Sequence, residues 1–194
     1  MKGFELTTEN FKELAIRAKN NGLQFISTPL DMPSAVFLME IVDAVKIASG
    51  DNTFYPLIEF VSESEKPIIL STGFANEEQI NFSASLIEKN KSKNNFHSHL
   101  ALLHCVSAYP VKPEDANLSA IKELSMKFPR TPIGYSDHTL GNEAATLSVA
   151  AGAKIVEKHF TIDRNYSGFR DHQLSADPNS MAELVTKIRQ AEIE

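Results

Sequence analysis

Two histidines, His138 and His159, stand 21 residues apart, each in a polar cluster that closes a short apolar run, residues 132–135 and 153–156. That interval is about one strand–loop–helix–loop unit. If both runs are parallel strands, both imidazoles emerge at the same edge of one sheet, where α/β barrels build their active sites. Two histidines, with water or substrate oxygens in the remaining positions, suit a hard or borderline divalent ion. Glu157 precedes His159 by two residues and so shares its side of a strand. It is a candidate to orient metal-bound water or to act as a base.

The other strand ends offer further groups. Thr28, Ser49, Ser71, Thr72, Ser107 and Ser136 supply hydroxyls, Lys46 a cation, and Asp51, Asp137 and Asp171 carboxylates. A ring of hydroxyls around one lysine suits a phosphate or a carboxylate, because donors converge without excess charge. Each has a plainer alternative. A single strand-end serine commonly caps the next helix, and His138 in SDHT could do the same. Lys46 could snorkel out of a core, but AVKIASGD points it along a buried strand, which favours a functional role. His97 and His99 fall in a polar segment and read as solvated; His104 and Cys105 read as packing, and Tyr109 as a wall at the rim.

The elements that must position these groups follow from periodicity. Helices are expected over residues 8–20, 34–41, 54–62, 77–89 and 118–128, with a last one starting at Asp177-Pro178. Strands are expected over 23–27, 44–48, 67–70, 100–105, 132–135 and 153–156, and residues 89–99 form a polar surface loop. Six strands alternate with helices and no hairpin signal separates them, which demands a parallel sheet covered by helices. Every strand ends in Ser, Thr, Asp or His. A doubly wound sheet concentrates polar ends at its switch point, whereas a barrel uses all its strands around one mouth. The expected fold is an α/β TIM-type barrel, partial, with six βα units where a closed barrel has eight.

Composition narrows the class. The 194 residues are 42% apolar with a formal net charge of −6 and dispersed basic residues, which argues against nucleic acid and anionic membrane surfaces as partners. No apolar run approaches the roughly 20 residues of a membrane span. MKGFELTTEN lacks the apolar core of a secretory signal, and the single Cys105 forms no internal disulfide. A cytoplasmic location is expected.

The segments FISTPLD, KIASGD, YPLI, KPIILSTGFA, LLHCVSAYP, PIGYSDHTLG, VEKHFTIDR and DHQLS occur in that order. Together they resemble the sialic acid synthase (N-acetylneuraminate synthase) family, with its legionaminate, pseudaminate and spore-coat polysaccharide relatives. The resemblance implies condensation of phosphoenolpyruvate with an N-acetylated amino sugar, such as N-acetylmannosamine, to a nine-carbon 2-keto acid and phosphate. It implies Mn2+ or Mg2+ as cofactor, a TIM barrel followed by an antifreeze-like domain, and a homodimer in the intact family. By motif, His138 and His159 correspond to the metal ligands and Glu157 to an acid beside the metal. Thr28, Lys46, Ser49, Ser71 and Ser136 correspond to positions that hold phosphoenolpyruvate, and Tyr109, Asp51 and Asp171 to positions near the sugar. Ser107 stands where some members have asparagine, and GFRDH replaces the more usual Gly-Pro-Asp-His.

Nothing in residues 1–22 resembles the motifs of the family's first two strands, and no antifreeze-like segment follows. The chain is therefore expected to correspond to strands three to eight, one partial synthase domain over residues 1–194. On this reading it releases little phosphate unless a second polypeptide supplies the other strands. Two rival readings are a truncated barrel serving as a binding or assembly module through its open strand edges, and a phosphoenolpyruvate aldol enzyme of the DAHP or KDO8P synthase kind. The latter needs basic residues for a sugar phosphate, and Arg164 and Arg170 are the nearby candidates.

Overall fold

A computed structural model describes residues 5–91 and 99–193. His97 and most of the expected polar loop lie outside the described residues. The chain divides into two compact units, Met1–Leu70 with Asn76–Leu100, and Ser71–Ala75 with Ala101–Glu194.

In the first unit, α1 (Thr8–Asn20) starts where its sequence says it should. Thr7 and Asn10 form a reciprocal capping box, Glu9 sits in the first turn, and Arg17 and Lys19 in the last, all favourable to the helix dipole. Gly22, at φ 71°, turns the chain out of the helix. Strand β1 (Ile26–Ser27) is shorter than expected. Phe25 instead donates its amide to the Asp43 carboxylate at 2.7 Å and accepts from the Asp43 amide at 2.8 Å. Helix α2 (Met32–Leu38) starts two residues early because Asp31 accepts from the Ser34 amide and so caps it. Strand β2 (Ala44–Ile47), helix α3 (Tyr55–Ser62), strand β3 (Ile68–Ser71) and helix α4 (Glu77–Asn90) follow. Strands β1, β2 and β3 pair in parallel, with Val45 opposite Ile68 and Ile47 opposite Leu70. Ile47, Leu57, Ile58, Val61, Ile68 and Ile87 are fully buried beneath these helices.

In the second unit, strand β4 (Leu100–Cys105), helix α5 (Ser119–Lys127), strand β5 (Ile133–Asp137), helix α6 (Glu143–Ala150) and strand β6 (Val156–Lys158) repeat the unit. A short helix α7 (Arg170–Leu174) and the long α8 (Pro178–Ala191) complete it, α8 opening on the expected Asp177 cap. Strand β6 begins three residues later than expected. Gly152, at φ 104°, carries the chain up from α6, and Lys154 and Ile155 make the first backbone bonds to β5 before regular pairing begins. Glu157 thus lies within the strand and His159 directly after it. Strand order is sequence order, and the described pairings are all parallel. That is the connectivity of a (β/α) barrel.

Gly134 shows how closely β4, β5 and the approach to β6 pack. A Cβ there would stand 2.5 Å from the Ile155 carbonyl oxygen and 2.5 Å from the Leu103 side chain. The carbonyl is backbone and cannot swing aside. Gly134→Ala is expected to destabilise the fold by about 1–3 kcal/mol, the usual cost of overpacking, read by urea unfolding; an unchanged midpoint would show that the strands can part.

Candidate active site

Parallel pairing places the C-terminal ends of β4, β5 and β6 at one edge of the second unit. His138 follows β5 and His159 follows β6, and their ring centroids are 5.2 Å apart. The ring of Tyr109 lies 4.2 Å from His138 and 5.8 Å from His159, edge-on to the latter. Ser136, one pleat below His138, donates its hydroxyl to Glu157 Oε1 at 2.6 Å. The two are register partners. The Ser136 proton is thus committed to fixing the carboxylate.

His138 Nδ1 is 2.9 Å from the Val106 carbonyl, which can only accept, so Nδ1 carries the proton and Nε2 is left as a ligand. Cys105 Sγ lies 4.0 Å from the same Nδ1. The backbone of His138 is held as well, its carbonyl accepting from the Val111 amide at 2.9 Å. Burial lowers the pKa of His138, but the hydrogen bonds to Cys105 and Val106 and the charges of Cys105 and Glu157 outweigh it, and the net shift is upward. His159 moves the other way. Burial and then the neighbouring His138 lower it, against Asp171 and Glu157. His159 is thereby a neutral imidazole near pH 7, the form a metal ligand needs. Tyr109 is raised by burial first, then by the charges of Cys105, Asp171 and Glu157, against Arg170; it stays a phenol.

Asp171 is half-buried in the first turn of α7, and its field is felt at both His159 and Tyr109. Arg170 covers the Tyr109 ring at 5.1 Å, a cation–π contact, and its Nε lies 3.8 Å from Asp171. The Ser107 Oγ is buried without a hydrogen-bond partner among the described residues. Ser71, buried, ends β3, and the next residue, Thr72, donates both its amide and its hydroxyl to the Leu103 carbonyl.

The remaining expected residues belong to the first unit. Thr28 follows β1 and is half-buried. Lys46 is buried within β2, its ammonium 3.2 Å from the Ile47 carbonyl. Ser49 and Asp51 form the 3-10 turn that follows β2, and the Ser49 hydroxyl is buried without a hydrogen-bond partner among the described residues.

Two expected roles resolve plainly. His104 packs, its Nε2 bonded to the Ala116 carbonyl at 2.9 Å and its ring stacked on Tyr135. Asp137, one of the carboxylates read as available, is fully buried and engaged by Tyr135, Thr139 and Lys158. Lys158 itself was not among the candidates. The signal was present, since Asp137 and Lys158 each stand immediately before a site histidine. Their pairing depends on register, which spacing alone does not disclose.

The donor set fits a divalent ion. Two imidazoles meet in a T-shaped arrangement with centroids 5.2 Å apart, one of them with Nε2 left open by its Nδ1 bond to the backbone, and the Glu157 carboxylate is near enough to perturb both. Among the described residues no three His, Cys, Asp or Glu side chains cluster with metal-ligand geometry. The protein would thus provide two imidazole ligands and leave other positions to water and substrate oxygens.

The model of the NeuB family matches residues 1–194. The chain belongs to the NeuB family. Among its NeuB-type relatives, the uncharacterized protein MJ1065 of Methanocaldococcus jannaschii is 48% identical over 192 residues, covering 98% of this chain and 55% of that protein. The N,N'-diacetyllegionaminic acid synthase of Legionella pneumophila is 39% identical over 193 residues, covering 99% of this chain and 53% of that enzyme. The chain spans about half the length of the curated relatives it matches. Among solved structures, the N-acetylneuraminic acid (sialic acid) synthetase of Leptospira borgpetersenii, in complex with citrate, superposes with a TM-score of 0.89 at 41% identity, covering 96% of this chain and 63% of that one. The (β/α) connectivity of the strands is thus that of the NeuB-type synthase fold. No helix among the described residues is long and apolar enough to cross a membrane.

Proposed function

We propose that the chain carries the metal-binding part of the active site of a synthase. The reaction condenses phosphoenolpyruvate with an N-acetylated amino sugar, giving a nine-carbon 2-keto acid and phosphate. The observation that carries this is the meeting of His138, His159, Tyr109 and the Ser136–Glu157 pair at the strand ends of a NeuB-family chain.

His138 and His159 would hold Mn2+ or Mg2+, which supplies Lewis acidity toward the aldehyde of the open-chain sugar. In the condensation, C3 of phosphoenolpyruvate forms a bond to the aldehyde carbon and C2 becomes electron-deficient. Water adds at C2, and the C2–O bond breaks to release phosphate with its bridging oxygen. Glu157, pinned by Ser136, positions that water and takes its proton. The buried hydroxyl of Ser107 is a donor for the carboxylate or phosphate. By motif, Ser71 is assigned to phosphoenolpyruvate, as are Lys46, Thr28 and Ser49 of the first unit; among the described residues the buried Ser49 hydroxyl has no hydrogen-bond partner. Tyr109, Asp171 and Asp51 are assigned to the sugar by motif.

The test uses phosphoenolpyruvate labelled with 18O at the bridging oxygen, Mn2+ and N-acetylmannosamine. Phosphate released in a sugar-dependent manner is expected to carry the label. Slow turnover leaves the readout intact, because label position is read from whatever phosphate forms. Unlabelled phosphate, or phosphoenolpyruvate binding that Ser107→Ala and Lys46→Ala leave unchanged, would count against the assignment.

A further inference from the structure

Behind the candidate site lies an ion pair that the proposed chemistry does not use. Lys158 Nζ is 2.7 Å from Asp137 Oδ2, with side-chain exposures of 3% and 0%. It also donates to the Thr139 carbonyl at 2.7 Å. The other carboxylate oxygen of Asp137 accepts from the Thr139 amide at 2.9 Å and from the Tyr135 hydroxyl at 3.2 Å. Among the described residues, the hydrogen bonds of the Asp137 and Lys158 side chains run to Tyr135, to Thr139 and to each other.

The placement follows the strand pleat. Asp137 and Lys158 are register partners, next to the Ser136–Glu157 pair. Side chains alternate along a strand, so Ser136, His138, Glu157 and His159 share one face and Asp137 and Lys158 occupy the other. Lys158 grips the residues on both sides of His138: the side chain of 137 and the backbone carbonyl of 139. It is itself the residue before His159. One ammonium group therefore ties the backbone segments that carry both imidazoles.

We propose that Asp137 and Lys158 are positioning residues, a latch that holds β5 against β6 so that His138 and His159 keep the separation and ring orientation a divalent ion requires. A buried ion pair is a poor device for stability alone, since apolar replacements of similar volume often do as well. It is directional, however. Two oxygens, Asp137 Oδ2 and the Thr139 carbonyl, each 2.7 Å from one ammonium, allow one register and little rotation. The metal part of the inference rests on His138 and His159 being the ligands; the positioning of His138 does not.

The experiment compares the wild-type chain with the double variant Asp137→Asn, Lys158→Met, which leaves no buried charge unpaired. Two readouts are taken on folded protein. In the absence of metal, long-range 1H–15N spectra report the His138 tautomer. The wild type is expected to show one tautomer, protonated on Nδ1 by its bond to Val106, and the variant a mixture. Mn2+ titration followed by electron paramagnetic resonance is expected to show about 10- to 100-fold weaker binding in the variant, the range for lost outer partners of metal ligands. If the double variant does not fold, Asp137→Glu, which keeps both charges but lengthens one arm by a methylene, takes its place with the same expectations. If the wild type takes up no Mn2+, the metal reading fails and the tautomer alone decides the positioning. Wild-type behaviour in any readout that then applies overturns the proposal.

Discussion

Substituting asparagine for His138 is expected to weaken Mn2+ binding by at least about 100-fold, since even outer partners of metal ligands are worth roughly 10- to 100-fold. Asparagine is the informative choice. Its amide nitrogen lies near the position of Nδ1 and can still donate to the Val106 carbonyl, the bond now made at 2.9 Å. What it lacks is an atom at the position of Nε2. A loss of binding would then be a loss of the ligand rather than of a buried hydrogen bond, whose orphaned carbonyl would cost about 1–3 kcal/mol by itself. With two imidazoles at the site, deleting one leaves a single protein nitrogen for the ion. Affinity within threefold of the wild type would show that the two rings meet for some reason other than metal.

Lys158→Met alone is expected to destabilise the protein by about 3–5 kcal/mol, the cost of stranding one partner of a buried ion pair. The side chains are 3% and 0% exposed, so solvent gives the remaining Asp137 charge little relief. The Thr139 amide and Tyr135 hydroxyl stay with the carboxylate, but neither brings a positive charge. For a chain of this size such a loss lowers the melting temperature by about 6–20 °C. It is also a large part of the 5–15 kcal/mol typical of native proteins. Urea unfolding with an unchanged slope is the direct measurement, and a change below about 1 kcal/mol would mean that water reaches the pair. The contrast with the neutral double variant, expected to stay folded, separates the cost of a stranded charge from the pair's geometric role.

The helices were legible in the chain because their signals are local. Thr7 and Asp177 cap α1 and α8 through residues three positions on, and each is recognisable without reference to the rest of the fold. Strand ends were read less well where pairing decides them. The first strand contracted to Ile26–Ser27, because the Asp43 side chain and backbone take over the hydrogen bonds of Phe25. The last is a regular strand only over Val156–Lys158, after Lys154 and Ile155 have made the first backbone bonds to β5. The histidine pair was legible for a different reason. The βα repeat length and parallel direction bring residues 21 apart to the same sheet edge, whatever the details of packing.

Residue types and spacing alone therefore determined the βα grammar, the family resemblance and the strand-end groups available for chemistry. They could do so because capping, periodicity and repeat length are properties of neighbouring residues. The tertiary structure decided which of those groups meet. Ser136 gives its proton to Glu157, Asp137 leaves the list of available carboxylates for a buried partner in Lys158, and His104 turns to Ala116. The physical reason is register. A shift of one residue between β5 and β6 would exchange the faces of every side chain on the strand, and that choice is made by packing and hydrogen bonds between segments about 20 residues apart. That choice is what brings His138 and His159 together at one sheet edge.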